Sequence, residues 1–199
     1  DGLQIDVNED QLKALGAAAA STGAVGLFHV TGVTPEAETL EQALGDRAPR
    51  STIPLSGGML LEEHRRMSTA EGDDLDVIAL GSPHFSLREF EDLRRLLDGR
   101  KARVPMYICT GRHVLSELEK RDWLGDLESA GVKLILDTCV VVTPVIEAKG
   151  GVLMTNSGKF AHYSPSLIGH EVVFGSLSEC VESAVAGRVL RDPTAWGVQ

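Results

Sequence analysis

An α/β fold, with a mainly parallel sheet and helices on both of its faces, is predicted by three observations. Leu75–Leu80, Val104–Cys109 and Val132–Leu136 are short apolar runs, each ending in a turn, and the first two lead into amphipathic stretches. Strand, turn and helix repeated in this order is the pattern of parallel strands joined by helical crossovers. Two capping boxes, Ser86 with Glu89 and Ser176 with Glu179, mark helix starts directly behind such runs. The chain has 199 residues of which 43% are hydrophobic, enough to cover a sheet on both sides. It is read as one domain, residues 1–199, with a possible sub-boundary near residue 70.

Taken in order, Asn8–Thr22 reads as a helix. Asn8 caps it with Gln11 three residues on, Leu12, Leu15 and Ala19 form its apolar stripe, and Gly23 ends it. Val25–Val30 reads as a strand ending at His29, a histidine read as satisfied at a strand end. Thr34 and Pro35 then open a helix that turns Ala37, Leu40 and Leu44 inward and stops at Gly45. Residues 46–73 are broken by Pro49, Pro54, Gly57, Gly58 and Gly72, with a helix over Met59–Ala70 whose Glu62, Glu63, Arg65 and Arg66 form a solvated face. Strand Leu75–Leu80 is followed by the turn Gly81–Phe85 and the helix Leu87–Leu97, closed by Asp98–Gly99. Strand Val104–Cys109 turns at Thr110–Gly111 into the helix Arg112–Lys120, and a short helix covers Trp123–Ala130. Strand Val132–Leu136 runs into Asp137, Thr138 and Cys139. Beyond Gly150–Gly151, Val152–Met154 and Val172–Phe174 are strands, Phe160–Ile168 is mixed because Pro165 lies inside it, and the second capping box opens a helix to Ala186 that Gly187 ends. The residues after Arg191 read as a frayed tail.

Composition excludes several functions. The net charge is −10 with no basic stripe, which argues against nucleic acid and an anionic membrane surface as partners. No apolar run is long enough to span a bilayer. No charged-then-apolar leader is visible and the first residue is Asp1, so the expectation is part of a cytoplasmic protein. Three cysteines, Cys109, Cys139 and Cys180, form no CxxC pair, so a closed zinc site is not expected.

Candidate chemistry gathers where the strands end. Because parallel crossovers share one hand, the turns after the three strands belong at one edge of the sheet, so His84, Thr110–Gly111 and Cys139 should converge. Ligands of open α/β sheets bind at that edge. A thiolate at Cys139 suits iron binding or nucleophilic attack, and a buried cysteine also serves as a small apolar residue. Gly81–His84 precedes a helix N-terminus that favours an anion, with Ser82 and His84 as binding groups and His84 also as acid or base. Asn156, Ser157, Gly158 and Lys159 offer amide, hydroxyl, bare backbone and ammonium, a set suited to a carboxylate or phosphate as well as to an ordinary turn. Cys180 in a helix's first turn has its thiolate favoured by the dipole, or packs inward. Cys109 at a strand end reads as core first.

Taken together, the strings GSPHFSLREF, a strand ending CTGR, LILDTCVVVTP, MTNSGKFAHY and FGSLSECVESAVAG resemble the catalytic region of the aconitase X group. These are hydro-lyases related to aconitase and isopropylmalate isomerase. The likeness runs from LKALGAAAASTGAVGLFHVTGVTPEA onward. It implies an aconitase-like catalytic domain fragment and an iron–sulfur dehydratase acting on a small hydroxy acid: cis-3-hydroxy-L-proline, or mevalonate 5-phosphate as the large subunit of such an enzyme. It carries the cluster-ligand role to Cys139, with Cys180 as second candidate and Cys109 as third. Pro83 and His84 stand where aconitase-type loops place another cluster cysteine, so the cluster is held differently here. The resemblance also implies a swivel domain or small subunit as partner, which nothing in this chain matches. Ser157 and His84 are the catalytic candidates within the chain. Two rival readings stay open: cysteine chemistry at Cys139 activated by His84, and a non-catalytic domain that binds a ligand or a subunit.

Overall fold

The computed structural model describes residues 6–45, 47–146 and 150–194. Five strands form one sheet: β1 (Val77–Leu80), β2 (Met106–Thr110), β3 (Val132–Leu136), β4 (Val152–Thr155) and β5 (Glu171–Phe174), in the order β3-β2-β1-β4-β5. Every pairing is parallel, with Ile78 opposite Met106 and Met154 and Cys109 opposite Ile135. The helices are α1 (Glu9–Gly23), α2 (Leu40–Leu44), α3 (Gly57–Arg66), α4 (Leu87–Leu97), α5 (Arg112–Lys120), α6 (Leu124–Ser129), α7 (Gly158–Leu167) and α8 (Leu177–Ala186). No helix among the described residues is long and apolar enough to cross a membrane.

The strand order follows from one reversal. From β1 the chain winds outward through β2 to β3, then returns across β1 and winds the other way through β4 to β5. Crossover hand is constant in such sheets, so reversing direction moves the covering helix to the opposite face. Two cores result. Ile78, Leu80, Met106 and Ile108 pack with Phe90 and Leu93 of α4, Leu118 of α5 and Val181 of α8. Val77, Ala79, Cys109 and Leu153 pack with Phe160 of α7 and with Val140 and Val141. All four β1 residues are buried, as strands covered on both faces require.

Local signals placed several elements where the sequence predicts. Asn8 and Gln11, Ser86 and Glu89, and Ser176 and Glu179 each make both capping-box bonds. Arg66 pairs with Glu63 on an exposed helix face. Elsewhere tertiary context prevails. Residues 24–30 form no strand, and Leu27 is 76% exposed, because β-propensity needs a neighbouring strand to pair with. The α1 stripe is not deeply buried: no α1 residue is fully covered and Leu15 is exposed. The second helix begins at Leu40, not Pro35. Thr34 folds back on Val30 in a turn, while Thr39 and Gln42 form the cap. Helix α3 stops at Arg66 because the next residues are used elsewhere: Thr69 and Ala70 N–H groups donate to the Val172 carbonyl, and Ser68 Oγ and Thr69 Oγ1 accept from Phe174 and Val172. They cover the free edge of β5, which would otherwise invite a foreign strand. The segment around Pro165 is helical throughout α7, capped by Ser157. Part of the tail after Arg191 lies outside the described residues.

Gly81 is the most closely hemmed glycine among the described residues. Its φ is +83°, and a Cβ there would lie 2.1 Å from the Cys109 carbonyl oxygen. Gly99 has a similar φ, +71°, with open space around it. Gly81→Ala is therefore expected to lose about 3 kcal/mol or more, and Gly99→Ala about 1–2 kcal/mol from its left-handed backbone alone. Urea denaturation of both variants checks this; equal losses would refute the steric account.

Candidate functional site

Winding reverses between β1 and β4, and the groups that follow these two strands meet there. Such a switch point is where open α/β sheets leave a crevice beyond the strand ends. After β1 come Gly81 and Ser82; after β4 come Asn156 and Ser157. Ser157 Oγ donates to the Ser82 carbonyl and accepts from the Phe160 N–H at 3.1 Å, so one hydroxyl both caps α7 and braces the β1 loop. Gly158 lets α1 approach α7: a Cβ there would meet Ala18 at 3.2 Å and Met67 at 3.0 Å.

Two sulfurs adjoin this brace. Cys109 and Cys139 pack together on one face of the sheet, close enough for each thiol to act on the other's ionisation, and Ser82 Oγ lies 3.9 Å from Cys139 Sγ. The pair is asymmetric. Cys139 is held down to about 6, chiefly by the hydrogen bond from Cys109, with help from the Val141 N–H, Ser82 and the Lys159 ammonium against the cost of burial. Cys109 is pushed up by the same bond and by burial. Of the two, Cys139 is the thiol that gives up its proton more readily.

The predicted residues divide accordingly. Ser82, Ser157, Lys159, Cys109 and Cys139 come together at one strand-end edge. Asn156, half-buried, begins the same turn. His84 lies at this edge but its side chain is exposed, in a cleft with Glu9, Asp10, Lys13, His113 and Glu117. Ser82, not His84, touches the Cys139 sulfur, and Cys109 packs near it. Cys180 is fully buried in the core on the other face of the sheet, with its thiol pushed up by burial. The structure thus brings Cys109, and not Cys180, to Cys139: Cys180 faces inward from α8, whereas Cys109 shares its face of the sheet with the residues just after Cys139.

Sequence reasoning named Thr110 and Asp137 as turn residues and gave them no bonding role. Thr110 Oγ1, buried at the end of β2, donates to the Phe85 carbonyl at 2.7 Å; a lone threonine closing an apolar strand was the available signal. Asp137, at φ +56°, accepts from the Arg112 N–H at 3.1 Å and pairs with the Arg112 guanidinium at 2.9 Å, tying the β3 turn to the start of α5.

As a donor set, the two thiols suit part of the ligand shell of an iron–sulfur cluster, which takes cysteine thiolates. Among the described residues no three His, Cys, Asp or Glu side chains are placed to share one metal ion, so the remaining ligands would come from elsewhere.

Comparison with known proteins agrees with this architecture. Residues 75–186 match the family model of the aconitase X third domain, and residues 1–64 that of the aconitase X second domain. The chain is 41% identical over 201 residues to the cis-3-hydroxy-L-proline dehydratase of Pseudomonas aeruginosa, covering 98% of this chain and 35% of that protein. It is 40% identical over 165 residues to the phosphomevalonate dehydratase large subunit of Methanothermobacter thermautotrophicus, covering 83% and 40% respectively. The crystal structure of Thermococcus kodakaraensis aconitase X in its holo-form superposes with a TM-score of 0.78 at 29% identity, over 91% of this chain and 46% of that one. The chain thus spans less than half the length of each of these relatives.

The asymmetry of the thiols has a direct readout. In metal-free protein, iodoacetamide is expected to label Cys139 and to spare Cys109 and Cys180. The rate should rise through a pH of about 6, since only the thiolate attacks. An inflection at about 8.5 or above, the range of an ordinary cysteine, would contradict the lowering by Cys109 and Ser82.

Proposed function

This chain belongs to the aconitase X family, and we propose that it forms part of a dehydratase that removes water from a small β-hydroxy acid, cis-3-hydroxy-L-proline. The observation that carries the reading is the Cys109–Cys139 pair set beside Ser82 where the winding of the sheet reverses.

Such a dehydration needs a base for the proton beside the carboxylate, a Lewis acid for the departing hydroxyl and a clamp for the carboxylate. An iron–sulfur cluster with an open coordination position supplies the Lewis acid when bound. Cys139 and Cys109 would hold one side of it. Lys159 acts on Cys139 through its charge, and the same ammonium, with the Asn156 amide, is the proposed carboxylate clamp. Ser82 borders the sulfur, and Ser157 keeps the Ser82 carbonyl in place. His84, exposed in the neighbouring cleft, is assigned to the mouth of the site. The base is assigned to the swivel domain or small subunit that would complete the enzyme.

A second reading, dehydration of mevalonate 5-phosphate, is favoured by the likeness to phosphomevalonate dehydratase large subunits, whose name implies a small-subunit partner. Assay of the full-length protein on both substrates separates the two. Cys139→Ser in that protein is expected to lose iron, visible absorption and turnover together, because a serine oxygen is a poor iron ligand beside thiolate. Cys180→Ser is expected to keep its iron. The 199-residue chain alone should show no turnover. Iron retained by Cys139→Ser would sink the assignment, and leave a ligand-binding or subunit-interaction domain as the better reading.

A further inference from the structure

The loop from Ser82 to Phe85 is held at four main-chain atoms. Ser157 Oγ donates to the Ser82 carbonyl, Thr110 Oγ1 donates to the Phe85 carbonyl at 2.7 Å, and the Phe85 N–H donates to the Cys109 carbonyl at 2.9 Å. These three partners belong to the ends of β2 and β4. The fourth comes from outside the sheet: Lys13 Nζ, on α1, donates to the His84 carbonyl at 2.8 Å.

The same ammonium reaches Asp10 Oδ1 at 2.8 Å and Glu89 Oε2 at 2.7 Å. Both carboxylates are fixed in turn by the start of α4, where Ser86 Oγ donates to Asp10 Oδ2 at 2.8 Å and the Ser86 N–H donates to Glu89 Oε2 at 2.9 Å. Lys13 has three donors and three acceptors, so its capacity is filled. The side chains of Lys13, Asp10 and Glu89 are only 31%, 20% and 24% exposed, so the ammonium is set in one place rather than trailing into solvent. A lysine serving only to join α1 to α4 would need Glu89 alone. The bond to a loop carbonyl two residues from Ser82 is additional.

We propose that Lys13 is a positioning residue of the Cys139 site: it fixes the Ser82–Phe85 loop so that Ser82 stays against the Cys139 sulfur, which makes α1 a working part of a site otherwise built on the sheet. The inference rests on reading the Cys139 edge as the functional site.

The test is a double-variant cycle on iron-free full-length protein. Its readout is the rate of iodoacetamide labelling of Cys139 at one fixed pH well above the wild-type inflection, where the rate reads access to the sulfur rather than its ionisation, resolved from Cys109 and Cys180 by peptide mass spectrometry. Lys13→Met is expected to speed labelling about threefold to tenfold, and Lys13→Arg to restore most of the wild-type rate. Combined with Ser82→Ala, the effect of Lys13→Met should fall well short of multiplying, because both changes release the same contact. Multiplying effects, an unchanged rate in Lys13→Met, or faster labelling of all three cysteines together would overturn the proposal. Wild-type turnover is measured separately. If neither substrate is turned over while the cycle behaves as expected, the assigned reaction fails and the role of Lys13 stands.

Discussion

Gly81 lies against the backbone of Cys109, and the candidate site depends on that approach. With no Cβ, the chain leaving β1 can pass over the end of β2 at a distance that any other residue would forbid. The passage sets Phe85 N–H on the Cys109 carbonyl and Phe85 carbonyl under Thr110 Oγ1, and places Ser82 between Cys139 and Ser157. A side chain at this position would push the loop off the strand end and separate groups that lie far apart along the chain. The buried polar atoms named here all have partners, as burial requires.

The sheet supplies the stage by simple means. Its strands are apolar because both faces are covered, and the covering helices sit on opposite faces because the winding reverses at β1. That reversal leaves the ends of β1 and β4 without a crossover between them. Ser82 and Ser157 fill the position, and the Ser157 hydroxyl does two jobs there because a helix cap and a loop brace are needed at the same point.

Sulfur chemistry depends on which face of the sheet a cysteine occupies. Cys109 and Cys139 share the face on which Val140 and Val141 pack, and their approach favours loss of the proton at Cys139 over Cys109. Cys180 begins its helix as an N-terminal thiol should, yet the helix presents it to the opposite core, where desolvation outweighs any help from the helix dipole. Position at a helix start is a local property, whereas burial is not.

The sequence by itself determined the elements whose signals are complete within a turn or two. Ser86 with Glu89 and Ser176 with Glu179 begin helices α4 and α8, Asp98–Gly99 and Gly187 end them, and Val132–Leu136 has the length and composition of a strand. Parallel pairing and the placing of His84, Thr110–Gly111 and Cys139 at one edge follow from those elements and the fixed hand of crossovers. Tertiary structure alone decided the rest. Residues 24–30 found no neighbour to pair with, Ser68–Ala70 left a helix to cover β5, and α7 continued through Pro165. It also decided that Cys109 rather than Cys180 meets Cys139, and that Lys13 reaches the His84 carbonyl. The reason is physical: caps and periodicity act between residues three or four apart, while a contact across 57 or 71 positions exists only once strand order and helix face are set.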